Sequence, residues 1–573
     1  MANTTIVMKG PQPPNSGSSA EEPEATIIVA ASGGDYTTIN AACAAAGAGD
    51  IIEARAATLG GTFNDATAVT ITNSGGTNNR IVVRGRTGDT VKITGSAGGT
   101  GNDSYGVRIT GNWWDFGQNI LIEGDALPNA SNIARGVRIG GSNNIIRASA
   151  TKCNLHAVWI EAGINNVVRD GYSYICGGLD DGDPTGPNDY GDVLEFQVAG
   201  ATPGTIYKRA GCSGGHGILG MQSADGIFIS HVRGENLWSE ESDLRHSGVT
   251  TDGNRVSTMA QNCKNMVLED FVYGPIGEPY EADNTQIIRC SGDYFRVRRG
   301  LLIGNRSGGP AINTNCPNGQ VARYLYYIYL TLTDNDGSGL YTVGPGASND
   351  TATWHDHVFY NCLFWNNCLN PQSTPLGFQI RMIYDGADQH WSDVLKLYGC
   401  AFPTGSTFRF TNGRNNANED VTLAFMEANY PASYANNILI SDPLFVDDTM
   451  PRVTRQAVFD MSMISTPYAN FRPQNSALNA SGVSITQVNG AVDNNTTVVV
   501  DNARPFHAGD FSDTVPGDTI FIEGFGVAII TNITGTTTLT VDRAVTCADN
   551  AEVFLGGSGS PSIGWYQSAG YYG

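Results

Sequence analysis

The chain has 573 residues and a formal net charge of −22, long enough for one elongated domain or several compact ones. Only 15 % of residues are charged, against about 25 % in average proteins, and the 71 glycines show no three-residue period, which excludes collagen. An acidic surface repels phosphate and excludes nucleic acid and anionic membranes as partners, and no apolar run approaches the ~18 residues that span a bilayer.

Residues 1–25 carry Pro11, Pro13, Pro14, Gly17 and Pro23 and read as a flexible arm. They lack the apolar region of a signal peptide. Eleven cysteines are scattered singly without a Cys-x-x-Cys pair, which reads as buried thiols. Both features predict folding in a reducing cytoplasm. Residues 38–46 are an Ala-rich helix candidate, placed to cap whatever follows.

Short β-branched runs then recur behind Asn, Asp or Gly. They begin at Gln118, Asn143, Asn165, Asp225, Lys264 and Gly292, with later members at Arg323, His355 and Ser392. The first spacings are 25 and 22 residues, the next 60, 39 and 28. A turn of 22 residues without an amphipathic helix is the size of one coil of a parallel β-helix, whose coils must stack to bury their inner faces. A propeller blade needs about 40 to 50 residues. Asn143, Asn144, Asn165 and Asn166 occupy repeated coil positions, where Asn tolerates the left-handed backbone of a corner.

Residues 26–42, with Gly33, Gly34 and Asp35 before the helix candidate, and 47–54, with Gly49 and Asp50 before Ile51, resemble the opening of the pectate-lyase-like right-handed parallel β-helix superfamily. Residues 442–447 and 470–482 resemble its closing segment. The resemblance implies an all-β fold, a right-handed parallel β-helix over 26–482. Residues 484–556 alternate strand-like runs with short turns and form a small all-β module, similar to modules of phage tail and fibre proteins. Residues 557–573 are a flexible link ending in Trp565, Tyr566, Tyr571 and Tyr572. That end reads equally as a docking peptide and as a strand packed on its own chain.

Taken together, these parts resemble bacteriophage tailspikes and virion fibres. That resemblance implies a homotrimer, a host surface polysaccharide as ligand, attachment to other virion proteins through a terminal segment, and a virion or extracellular location. A second reading is a polysaccharide lyase or glycoside hydrolase not tied to a virion. A third is a structural spike without a ligand.

Excursions at 177–215, 234–255 and 273–285 interrupt successive turns and should stack along one edge. They are rich in carboxylates, and two carboxylates at the right separation hydrolyse a glycosidic bond. Glu240 or Asp243 is the expected proton donor, with Asp192 or Glu195 as its partner. Trp238 and Tyr280 are expected to stack on sugar rings, with Glu281 and His246 completing the substrate contacts. No metal set is assigned, although such loops suit Ca²⁺. His355 and His357, two apart on a strand, are expected on one face, as a solvent-facing pair.

Overall fold

The computed structural model describes residues 23–98, 104–124, 133–153, 156–174, 194–199, 205–213, 217–222, 227–235, 256–273, 286–304, 310–315, 321–335, 337–343, 354–368, 378–384, 390–412, 415–446, 473–479, 481–509, 515–559 and 561–564. Between Ile27 and Ile440 they build one parallel β-helix. Inner strands pair in parallel with the strand one coil earlier and one coil later, as in Ile51–Ala54 with Ile81–Gly85 and that strand with Trp114–Gln118. Parallel crossovers within one sheet turn right-handed, which gives the solenoid its hand. Coil length varies: Asn144 to Asn166 spans 22 residues, and Trp114 to Asn144 spans 30.

The inner faces form one apolar column from Val29 to Tyr434. Its later coils are aromatic. Tyr327 stacks on Phe359 with ring centroids 4.4 Å apart, Phe364 on Phe402 at 5.0 Å and Trp391 on Phe410 at 4.1 Å. Corners are turned by left-handed residues, among them Asn119, Asn143 and Asn165 with φ of 59°, 60° and 56°. Beside them, Asn144 and Asn166 form a buried ladder. The Asn144 side chain accepts from the Trp114 amide at 3.0 Å and donates to the Gly111 carbonyl at 3.1 Å. Asn166 repeats both bonds one coil later, to the Asn144 amide at 3.0 Å and the Gly141 carbonyl at 2.9 Å.

An open solenoid end would template strand addition. The N-terminal end is closed by the helix Ile39–Ala45, capped by Thr38 and buried through Ile39, Ala42 and Cys43. Asp65 accepts from its Ile39 amide, and the Asn73 side chain donates to the Cys43 and Ala46 carbonyls. At the far end, Thr407–Asn412 turns back antiparallel into Asn418–Thr422, and the helix Leu423–Asn429 lays Leu423 and Met426 on the core.

Thr486 to Leu555 form a separate six-stranded antiparallel sheet. It is docked on the outside of the solenoid, where Tyr326, Ile328, Tyr329 and Val358 share an apolar cluster with Ile520, Ile530, Leu539 and Val553. The joint also holds a buried ion cluster, with Arg298 between Glu269 and Asp518. The tail expected to be flexible returns to the solenoid: Ile563 is 1 % exposed, and the Gly564 amide donates to the Asn361 carbonyl. The terminal aromatics and residues 1–22 lie outside the described residues. Cys43, Cys290, Cys362, Cys400 and Cys547 are buried thiols. No described helix is long and apolar enough to cross a membrane.

Candidate functional site

One outer face is built from Val69–Ile71, Tyr105–Ile109, Arg135–Ile139, His156–Ile160 and their successors up to Phe378–Tyr384 and Thr407–Asn412. Side chains alternate between inside and outside along each strand. Val107, Ile109, Val137, Ile139, Val158 and Ile160 point into the core and are fully buried or nearly so. The residues between them point out, and parallel register stacks those residues into one row along the solenoid.

Read from pair to pair, the row is Thr70, Arg108, Arg138, Trp159 and Gln197. It continues by backbone register through Gly220, Met259 and Arg289 to Asn313, Tyr341, Arg381 and Arg409. Arginine is thus concentrated along one line of a chain whose net charge is −22.

The N-terminal half of the row is organised around Glu161, which accepts from Arg138 Nε at 2.5 Å and from Arg108 Nη2 at 3.4 Å. The Trp159 ring lies beneath two guanidinium groups, Arg135 at 3.4 Å and Arg138 at 5.4 Å from its centroid. In the C-terminal half, Arg381 lies over the Tyr341 ring at 5.3 Å. Burial raises the Tyr341 phenol above its ordinary value, with Arg381 opposing. Arg409 makes two 2.7 Å bonds to Asp420 and covers Phe378. Between the halves, Asn313 is 3 % exposed, and its Oδ1 has no donor among the described residues. A buried acceptor of this kind is completed by water or ligand.

Of the residues predicted from sequence, Trp238, Glu240, Asp243, His246, Tyr280, Glu281 and Asp192 lie outside the described residues. Glu195 is on the strand Leu194–Ala199, two positions before Gln197 of the row. Each of the segments that carry the others is followed by a described strand of this face, namely Leu194–Ala199, Val256–Tyr273 and Gln286–Ile303. Residues 236–255 lead from Glu235 to Val256, and 274–285 lead from Tyr273 to Gln286. Gly234 pairs with Tyr273, and Val256 pairs with Gln286. The described ends of the two segments therefore lie on adjacent coils, with Val256 and Gln286 in the strands of the row. Residues 175–193 lead from Tyr174 to Leu194, and Tyr174 belongs to the same strand column through Ser213 and Glu235. The excursion read as 177–215 is corrected in extent, because it contains the coil strands Leu194–Ala199 and Thr205–Ser213.

The histidine pair is also corrected. Asp356 between the two has φ of 54°, which breaks the strand alternation. His357 turns inward, fully buried, with Nε2 against the Ala322 carbonyl at 2.9 Å. Burial lowers its pKa to about 4. His355 stays outside, bonded through Nδ1 to Asp356 at 2.9 Å, so the two rings cannot share a cation. Glu269, His507 and Asp518 bring metal-type ligand atoms together, but Arg298 lies among them and supplies the positive charge.

No protein-family model matches the chain, and no curated protein sequence does. Solved structures share its fold class at low identity. An alginate lyase from Paenibacillus sp. str. FPU-7 is 10 % identical, covers 60 % of this chain and 98 % of its own, and superposes with a TM-score of 0.37. Pectate lyase Pel9A is 14 % identical over 80 % of this chain and 92 % of its own, with a TM-score of 0.35. A GH136 lacto-N-biosidase from Eubacterium ramulus is 11 % identical over 60 % and 66 %, with a TM-score of 0.39. Fold alone does not fix activity, so the row and the segments at its margin must carry the functional argument.

Proposed function

We propose that the chain is a polysaccharide-recognising β-helix of the tailspike or virion-fibre kind, with a host surface glycan as its ligand. The observation that carries this reading is the outward row from Arg108 to Arg409. Aromatic rings cover the apolar face of a pyranose, and fixed polar side chains beside them take its hydroxyls. Trp159 and Tyr341 stand in that row among Arg, Gln and Asn. A linear series of such groups suits a linear polymer better than a compact metabolite. Trp238, Tyr280, Glu281 and His246 belong to residues 236–255 and 274–285, which are followed by strands of the row, and are proposed as its further contacts.

Catalysis is part of the same proposal. Glu240 or Asp243 is the proposed proton donor, and Asp192 or Glu195 is its partner. A lyase or hydrolase independent of a virion is the second reading, favoured by the carboxylates of those segments. The closed ends of the solenoid and the docked C-terminal module suit a rigid spike. Assembly as a homotrimer, attachment to other virion proteins through a terminus and folding in a reducing cytoplasm belong to the tailspike reading. The test is a binding and depolymerisation screen of the full chain against purified bacterial capsule and lipopolysaccharide glycans. The expected result is saturable binding of at least one glycan, weakened at least tenfold by Trp159→Ala. Failure to bind any of them would overturn the tailspike reading.

A further inference from the structure

We infer that Cys362 and Cys400 form a modification site: on meeting a small-molecule disulfide such as oxidised glutathione, they close into a disulfide that ties two neighbouring coils of the solenoid. The inference is independent of the glycan reading.

The two cysteines hold one register position on successive coils. Tyr360 pairs with Tyr398 and Leu363 with Ala401 in parallel, which sets Cys362 opposite Cys400. Their sulfurs repeat the same contacts one coil apart. Cys362 Sγ donates to the Tyr360 carbonyl at 3.3 Å and the Tyr327 carbonyl at 3.4 Å. Cys400 Sγ donates to the Tyr398 carbonyl at 3.7 Å and the Phe359 carbonyl at 3.6 Å, and Phe359 is the register partner of Tyr327. Equivalent contacts mean equivalent side-chain directions, so the sulfurs stack along the solenoid axis instead of pointing apart. Neighbouring strands lie about 4.8 Å apart, inside the ~4.4–6.8 Å that separates the Cα atoms of a disulfide. Cys290 is a contrast: it lies opposite Ala260 and faces the Tyr327 hydroxyl at 3.1 Å.

Both thiols of the pair are fully buried, and burial pushes the Cys362 thiol well above its ordinary value. The thiolate is the attacking species, so the reaction waits for local opening of the coil. One cysteine then loses its proton and attacks glutathione disulfide, forming a mixed disulfide and releasing one glutathione thiolate. The other cysteine loses its proton and displaces the second glutathione. One protein S–S bond forms, one glutathione S–S bond breaks, and the two protons and two electrons leave on two molecules of reduced glutathione. The new bond closes the coil that carries Phe378–Tyr384 into a covalent loop and so restricts the unfolded chain. A chain folded in a reducing medium keeps free thiols until it meets an oxidising one.

The experiment is incubation of the reduced full chain with oxidised glutathione, followed by alkylation in denaturant and peptide mass spectrometry. A peptide linked through Cys362 and Cys400 should accumulate, faster in sub-denaturing urea, while Cys290 stays alkylated. At the urea midpoint of the reduced chain, the oxidised chain should show a folded-to-unfolded ratio at least ~10-fold higher, the scale of one loop-closing disulfide. Cys400→Ala should give neither the linked peptide nor the shift. Cys362 and Cys400 fully alkylated at every time point with and without urea, or trapped as mixed disulfides with glutathione, would overturn the inference. A linked peptide with no change in the urea midpoint would overturn the bond's role as a tie.

Discussion

Replacing Arg298 by alanine should destabilise the protein by about 3 to 5 kcal/mol, the cost of leaving the buried partners of an ion pair without their cation. Arg298 has no exposed surface and is paired with Glu269 and, at 2.7 Å, with Asp518. Asp518 also accepts from the His507 amide at 2.8 Å and lies 3.1 Å from its Nε2. Arg299 extends the cluster to Glu269 at 2.9 Å and to Asp270 at 2.8 Å. Two of these groups belong to the C-terminal module and the rest to the solenoid, so the cluster fixes how one sits on the other. Urea unfolding followed by near-ultraviolet circular dichroism measures the cost. A loss below ~1 kcal/mol, the scale of a surface pair, would mean that the joint is solvated.

The same cluster sets an acid limb. Burial alone would raise the Asp518 carboxyl, but Arg298 and then His507 outweigh it and hold the group well below the usual carboxylate range. A depressed folded-state pKa contributes stability that is fully present above the unfolded value, about 3.9, and is lost as pH falls below it toward the folded value. Stability should therefore decline below about pH 4, and Arg298→Ala should flatten that decline because Asp518 loses its largest stabilising partner.

Asn144→Ala should cost about 2 to 4 kcal/mol, because it orphans the Trp114 amide and the Gly111 carbonyl together, each worth roughly 1 to 3 kcal/mol when buried unpaired. Asn144 is itself fully buried, so water cannot replace its side chain without a rearrangement of the corner. The Trp114 amide reports the loss most locally. Its hydrogen exchange should accelerate in the variant, while amides of the C-terminal module keep their protection. An unchanged melting temperature with unchanged exchange at Trp114 would show that the ladder is ornamental.

The repeat of these asparagines was legible in the sequence because short coils space them regularly, but the left-handed corner role holds for Asn143 and Asn165 alone, and Asn144 and Asn166 serve as buried hydrogen-bonding rungs instead. The 22-residue step from Asn144 to Asn166 exposes the repeat directly, and so do the Gly and Asp turns around the helix Ile39–Ala45. Where coils lengthen, the pattern fails for a physical reason. The coil whose strand Thr205–Ser213 pairs with both Val167 and Ile227 follows Pro203 and Gly204, but the strand itself carries Lys208, Arg209 and Gly211 in place of a β-branched run, so its neighbours read as one 60-residue step. The arginine row was hidden for the same reason. Register, not sequence distance, brings Arg108, Trp159, Tyr341 and Arg381 into line, and varied coil lengths erase any period between them. The histidine pair misled because a left-handed Asp356 reverses the alternation that a regular strand would keep. The acidic excursions drew attention by composition alone. The structure adds that the strands that follow them, Leu194–Ala199, Val256–Tyr273 and Gln286–Ile303, each carry a residue of the row.

The most direct test of glycan recognition along this face is a structure of the full chain with a bound oligosaccharide from the screen. The account predicts sugar density over Arg108, Arg138, Trp159 and their successors in the row. Sugar density on another face, or on the C-terminal module with the row left bare, would contradict it.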